Sequence, residues 1–431
     1  MDYGLFESAV DCGLLIYRTL KTNHMLASLS WKNIWRNKTR SLIIIFAIVF
    51  GVIGGVGFTA FYKGLISQRL EMAIGNEVSN IQIHNPNFQN NKEINDTIAG
   101  ISNLTAVLDT FKRIKAYSVR LKCVTMISSA NSNEGIMVNG IDPEKEKSVT
   151  GIYKYVREGE YLSGARRNGI LLGQKLAQKL KVRLRSKVVL TMQTTSGNIT
   201  YAACKVVGIY KTNNTTFDER NAYVKKTDLA PIIGLDDMAG HEIAISVYSD
   251  LESDGISASL TNKLDSKNLN IQTWKEIMPE LGAMNQASDY VLYIFMIIIF
   301  LALSFGIINT MLMAVLDRVR EIGMLMAIGM NKRKIFLMIM YETILLMLTG
   351  SLVGLGIVYF MINFFGKHGI DLSNFAVGLS SIGFSSMVYP SLGLAEYLKI
   401  VILVMAAGVL SSLVPARKAL RLNPSEAIRT Q

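Results

Sequence analysis

Two long apolar segments joined by a short basic hairpin constrain this chain more than any other feature. The first covers residues 290–316 and the second 335–365. Between them lie a charged patch at 317–321, a short mixed segment at 322–330, and the run Asn331, Lys332, Arg333, Lys334. Each apolar segment exceeds the roughly 20 residues that a helix needs to cross a hydrocarbon core about 30 Å thick. Lys and Arg resist translocation, which puts the hairpin in the cytoplasm.

Two further apolar segments, 41–62 and 394–414, complete a set of four. Basic clusters stand before the first (Arg36, Lys38, Arg40), between the second and third, and after the fourth (Arg417, Lys418). All three clusters agree with four spans and both termini inside. The formal net charge of +12 is concentrated beside the apolar segments. It therefore fits topology and anionic head groups rather than nucleic acid.

Residues 63–288 contain no run able to span and are numerous enough for a domain of their own. Alternation and apolar runs predict strands at 79–83, 119–126, 135–141, 187–192, 199–210 and 242–247, and Asn85, Pro86 and Asn87 a turn. Helical spacing predicts helices at 103–115, 171–180 and 256–265. The expected fold is an α-helical membrane protein with four transmembrane helices and a large α+β extracytoplasmic domain inserted between helices 1 and 2.

The remaining parts follow from these. Residues 1–24 read as a dispensable N-terminal extension, because they lack the basic start and cleavage site of a signal peptide. Residues 25–40 read as an amphipathic cytoplasmic interfacial helix. Leu29, Trp31, Ile34 and Trp35 share its apolar side, and Trp31, Trp35 and Arg36 serve as anchors. The expected limits are 289–316 for the second span, 317–334 for a cytoplasmic coupling segment, 335–365 for the third span, 366–393 for an extracytoplasmic loop and 415–431 for a cytoplasmic tail.

Chemistry-bearing patterns are scarce. The four histidines show no HExxH spacing, and the three cysteines form no CxxC pair. No catalytic or metal-binding constellation and no cofactor is expected. Cys123 and Cys204 share the polar region, where a disulfide and two unconnected buried thiols are both open readings. No Walker sequence occurs, so ATP is not bound here by that route. Within the apolar segments, Gly51 and Gly55 form a GxxxG pair suited to helix packing. Asn309 and Glu342 are polar groups there. An intramembrane acid is a functional candidate by default, but one lone acid near a helix end more often makes a hydrogen bond between helices. Between the second and third spans, Val319, Ile322, Met326 and Ile328 or Gly329 fall on one face of a short helix, flanked by Arg318, Arg320, Glu321 and Lys332. Such a helix, joined to two spans, suits the transmission of force. The alternative is an interfacial loop.

The stretch 309–342 resembles the signature of FtsX-like permeases of ABC transporters. The matching residues are Asn309, the run DRVREIG at 317–323, Leu325, the run AIG at 327–329, and Glu342. Asp317 stands where the family usually has Glu. WRNKTR at 35–40, PAR at 415–417 and NPSEAIR at 423–429 are similar to the family's opening and closing elements. EGEYL at 158–162, GILLG at 169–173, Leu176 and Ala177 are similar to the external domain of lipoprotein-releasing and macrolide-exporter permeases. The resemblance implies an inner (plasma) membrane permease that is not itself an enzyme. A separate cytoplasmic ABC ATPase pair would grip Asp317, Arg318, Arg320, Glu321, Ile322, Gly323, Met326, Ala327 and Gly329. A second permease copy or a related permease would complete the complex. The segments 78–86, 274–281 and 323–330 look closest to the lipoprotein-releasing type, which implies an acylated lipoprotein substrate. The alternatives are peptide or drug efflux, and regulation of a cell-wall hydrolase without transport. A periplasmic carrier or adaptor is a further implied partner.

Overall fold

The computed structural model describes residues 28–162, 167–264 and 268–420. The expected extension at 1–24 and the NPSEAIR element lie outside the described residues. The chain divides into two units, one formed by 1–64, 288–369 and 389–431, the other by 65–287 and 370–388.

The first unit is helical. Its elements are α1 (residues 28–36), α2 (Lys38–Met72), α3 (Pro279–Asp317), α4 (Val319–Ala327), α5 (Lys332–His368) and α6 (Leu394–Leu420). Four of these, α2, α3, α5 and α6, are long and apolar enough to cross a membrane. The helices extend beyond the expected spans in places. The 39 residues of α3 make about 58 Å at 1.5 Å per residue, nearly twice a hydrocarbon core. It begins at Pro279, ten residues before the expected span, and proline is tolerated in a first turn. α6 runs through Pro415 to Leu420, into the expected tail.

Ile48, Val52 and Val56 of α2, Leu303 and Ile307 of α3, Ile339 and Leu346 of α5, and Ile400 and Val404 of α6 form the core of this unit. Small residues set the approach distances. A Cβ on Gly350 would lie 2.9 Å from Ile48 Cβ, and one on Gly408 would lie 2.5 Å from Met347 Cε. In the GxxxG pair, Gly51 lies against Leu303 and Gly55 against Ile299. Outward-facing side chains stay apolar, with Phe50 70%, Phe305 75% and Phe360 72% exposed. That is the chemistry of a lipid-facing surface.

The second unit is α+β, with strands β1 (Ile81–His84), β2 (Ile114–Ser128), β3 (Asn133–Ile141), β4 (Val156–Gly159), β5 (Gly169–Gly173), β6 (Lys187–Gln193), β7 (Ile199–Tyr210), β8 (Asn221–Lys225), β9 (Glu242–Val247) and β10 (Asn270–Thr273). One lobe is the antiparallel order β10-β1-β9-β2. The helices Ile101–Leu108 and Ser253–Lys263 cover it, burying Leu104, Leu108, Ile256 and Leu260 against Ile81, Ile83, Ile243 and Ile245. The other lobe closes on itself, since β2 pairs β3, then β8, β5, β7 and β6 follow, and β6 returns to β2. Closure removes free strand edges. Alternate residues of β6 and β7 (Val188, Leu190, Met192, Ala202, Cys204, Val206) fill the barrel. β2 serves both lobes. Arg120 is its last partner of β9, opposite Glu242, and Leu121 is its first partner of β3, opposite Gly140.

Two helical expectations fail here. The helix expected at 103–115 stops at Leu108. Thr110 folds back onto Val107 O, and pairing with β9 draws residues from Ile114 onward into β2. The helix expected at 171–180 starts only at Gln174. GILLG before it is a fully buried strand between β7 and β8, the setting in which a strand loses its alternation. The loop expected at 366–393 carries a two-stranded ribbon, Ile370–Asp371 with Met387–Val388, and its residues 370–388 belong to the α+β unit.

Cys123 and Cys204 are both free and buried in the barrel core. Burial pushes both thiols up, Cys204 to about 11, which makes them inert.

Candidate functional site

The charged patch at the end of α3 is held by α1, the start of α2, and α5. Asp317, the last residue of α3, pairs with Arg40. Arg318 breaks the helix with φ −105° and ψ 16°, and its side chain turns inward. Its Nη1 donates to Glu342 Oε1 and Oε2 at 3.1 and 3.3 Å, and its Nη2 donates to Asn33 O of α1 at 3.1 Å. Arg36 of α1 pairs with Glu321 of α4. Ser30 Oγ donates to Met338 O of α5 at 3.1 Å. One arginine therefore ties the turn to two elements distant in sequence.

These contacts differ in weight. The Arg318–Glu342 side chains are only 13% and 11% exposed. Removing one partner of so buried a pair typically costs about 3–5 kcal/mol, because the other charge is stranded. Arg36 and Glu321 are about half exposed, and a pair of that kind contributes roughly 0–1 kcal/mol.

α4 turns one face to the unit and one away. Ile322 and Gly323 are buried, and Met326 packs partly against the core. Met324 and Ile328 are 52% and 84% exposed, while Arg320 and Ala327 are exposed. The expected single apolar face is thus corrected. Ile328 follows the end of α4 and lies opposite Ile322 in exposure. Gly329, with φ +97°, ends the helix in the left-handed conformation that glycine adopts freely. Asn331 caps α5 by accepting from Arg333 N. A cleft of about 490 Å³ opens among α1, α3, α4 and α5, lined by Leu29, Arg36, Arg318, Met324, Ile328 and Glu342 among others.

α1 is also amphipathic in a different sense from that expected. Ser30 and Ile34 are buried, whereas Leu29, Trp31 and Trp35 are exposed. Ile34 holds the helix to the bundle, and the two tryptophans meet edge to face at 5.9 Å on the open side, a placement suited to a membrane interface. Asn309 is exposed on α3 and, among the described residues, is not part of the ionic lattice. Sequence reasoning missed Ser30, Asn33 and Arg40. Arg40 and Asp317 are 277 positions apart, and nothing local signals such a pairing.

The α+β unit holds its own charged cluster. Arg120 donates to Glu242 at 2.6 Å and to Glu146 at 2.6 and 3.1 Å, and Lys122 pairs with Glu242. Burial alone would push Glu242 up, yet Lys122 and Arg120 outweigh it and hold the carboxyl at about 2. His241 accepts from Lys122 N through Nδ1 and so donates from Nε2 to Ile94 O at 2.8 Å. Burial keeps this ring neutral by lowering its pKa. Each charged side chain of the cluster has an internal ionic partner, and the cluster reads as a structural tie between the lobes. Among the described residues, no group of His, Cys, Asp and Glu could hold a metal ion.

Comparison with known proteins gives two family matches. "FtsX-like permease C-terminal" matches residues 293–424, and "MacB-like periplasmic core domain" matches residues 41–263, more than half of the chain. The lipoprotein-releasing system transmembrane protein LolE of Haemophilus influenzae is 20% identical, over 93% of this chain and 98% of its own length. The uncharacterised ABC transporter permease YknZ of Bacillus subtilis is 23% identical, over 91% and 96%. The macrolide export ATP-binding/permease protein MacB of Chlorobaculum tepidum is 34% identical, over 29% of this chain and 16% of its own length. Among solved structures, the periplasmic region of MacB from Actinobacillus actinomycetemcomitans matches at 15% identity with a TM-score of 0.35, covering 50% of this chain and 98% of that one.

Proposed function

This chain belongs to the FtsX-like permeases of ABC transporters and carries their MacB-like periplasmic core domain, and we propose that it transmits force from a separate ATPase rather than conducting a solute. In this reading the ATPase pair grips α4 on the cytoplasmic side, the flanking spans α3 and α5 are the levers, and the α+β unit is the extracytoplasmic part they move. The observation that carries it is Arg318. It binds the turn before α4 to Glu342 of α5 and to α1, so a pull on α4 reaches both spans that flank it. The exposed Met324 and Ile328 offer an apolar contact on the open side of the same segment.

For the cargo, we infer acylated lipoprotein taken from the outer leaflet of the inner membrane. The near-complete mutual coverage with LolE of Haemophilus influenzae supports this choice. The matches to YknZ and to macrolide-export MacB support a second reading, export of peptides or drugs. A second permease copy, or a related permease, completes the complex in either case. Purification of the chain with its cognate ATPase, followed by mass spectrometry of bound protein, tests the choice. Copurified acylated protein is the expected result. Absence of acylated protein, with ATP hydrolysis stimulated by drugs, would replace the first reading by the second.

A further inference from the structure

In the α+β unit, α2 does not end as a plain helix. It passes into the π-helical turn Ala73–Val78, and Ser79 follows with φ +74°, a conformation that side-chain-bearing residues seldom adopt. Short π-helical turns concentrate at functional positions. Arg69 and Glu77 bridge this turn through contacts of 2.9 and 3.4 Å, and their side chains are only 5% and 6% exposed.

Three other segments meet the same turn. Gly151 N donates to Gly75 O at 2.8 Å. Asn214, which caps the helix Thr215–Arg220, donates from Nδ2 to Glu77 Oε1 at 3.0 Å. The start of the segment leading into α3 packs there too, with Trp274 and Leu281 against Ala73, Ile74 and Val78. The α5–α6 loop arrives at the same place. Gly383, with φ +82°, lies so close to Arg69 that a Cβ would stand 2.7 Å from its Cζ and Nε. Thr215 and Thr216 donate to Ser380 O and Ser381 O at 3.1 and 3.0 Å.

We propose that Arg69 is the positioning residue of a joint that fixes the α5–α6 loop and the π-helical end of α2 to one point of the α+β unit. A rotation of α2 and a displacement of α5 and α6 then reach that unit together rather than by separate routes. The proposal extends the force-transmission reading and rests on it for its purpose, but the joint itself rests only on these contacts. Glu77 alone would explain a local ion pair. The glycine under the guanidinium and the paired threonine contacts explain why a loop between two other helices is held there.

Hydrogen exchange on the full chain in nanodiscs tests this. Arg69→Ala should speed exchange about tenfold in both 73–78 and 376–383 while leaving β5 to β7 unchanged, and Arg69→Lys should fall between it and the native chain. Thr215→Val combined with Thr216→Val should speed 376–383 alone. If Arg69→Ala loosens the whole unit, the threonine variant decides. The joint is overturned if 376–383 keeps its native rate in the threonine variant, or in an Arg69→Ala chain whose barrel is intact. With the ATPase bound, nucleotide should shift 73–78 and 376–383 together. If nucleotide shifts neither segment while the variants behave as stated, the joint stands and force transmission is refuted.

Discussion

At the residue scale, a few buried charges decide how the two units hold together internally. Arg120 sits where β2 changes partners, and it bonds Glu242 of one lobe and Glu146 beside the other. Arg120→Ala would strand two buried carboxylates, so it should destabilise the α+β unit by about 3–5 kcal/mol, measured by urea denaturation of the solubilised chain. Asp218 offers a pH test. Burial raises its carboxyl to about 6 against the partial relief of hydrogen bonds from Thr212. A folded-state value above the unfolded one means that the folded form is penalised once the group ionises, fully so above about pH 6. The penalty lifts as pH falls toward the unfolded value. Between pH 7 and pH 5 the native chain should therefore regain about 1 kcal/mol that an Asp218→Asn chain does not. The difference between the two stability curves cancels the histidines, which titrate in both. Neither residue was distinguishable in the sequence: Arg120 meets Glu242 across 122 positions, and Asp218, though its partner Thr212 is only six positions away, owes its burial to packing that no local pattern signals.

At the element scale, legibility followed locality. Strands β7 and β9 were readable residue for residue from alternation and β-branched content, and the four apolar helices from length alone. What failed was decided by neighbours. GILLG reads equally well as helix or strand until it is known to lie between β7 and β8. The closed barrel depends on β6 returning to β2, for which the sequence carries no signal. Helix contacts were partly legible through small residues, but not which of them matter. Gly350 lies against Ile48 Cβ, whereas nothing stands within 4 Å of a Cβ on Gly356. Gly350→Ala should thus cost about 1–3 kcal/mol by overpacking. Gly356→Ala should be neutral, or stabilising by up to about 1 kcal/mol through helix propensity. Thermal denaturation of both variants in one detergent checks the contrast.

At the scale of the whole molecule, the hairpin between two apolar segments was the most informative part of the sequence, and the structure gives it a mechanical form. The turn at Arg318 is locked to α1 and α5, α4 keeps one face buried, and its other face is open. The sequence conveyed the family signature and the position of this segment, but not that α1 is built into it. Ser30, Asn33 and Arg36 of α1, and Arg40 at the start of α2, contribute contacts that no local pattern announces. If an ATPase works the chain through α4, it must touch the open side of that helix. A photo-crosslinking residue in place of Ile328, compared with one in place of the outward-facing Phe305, measures this directly in membranes containing the chain and its cognate ATPase. The account predicts a crosslink to the ATPase from position 328 and none from 305. Capture of the ATPase at 305 with none at 328 would contradict it.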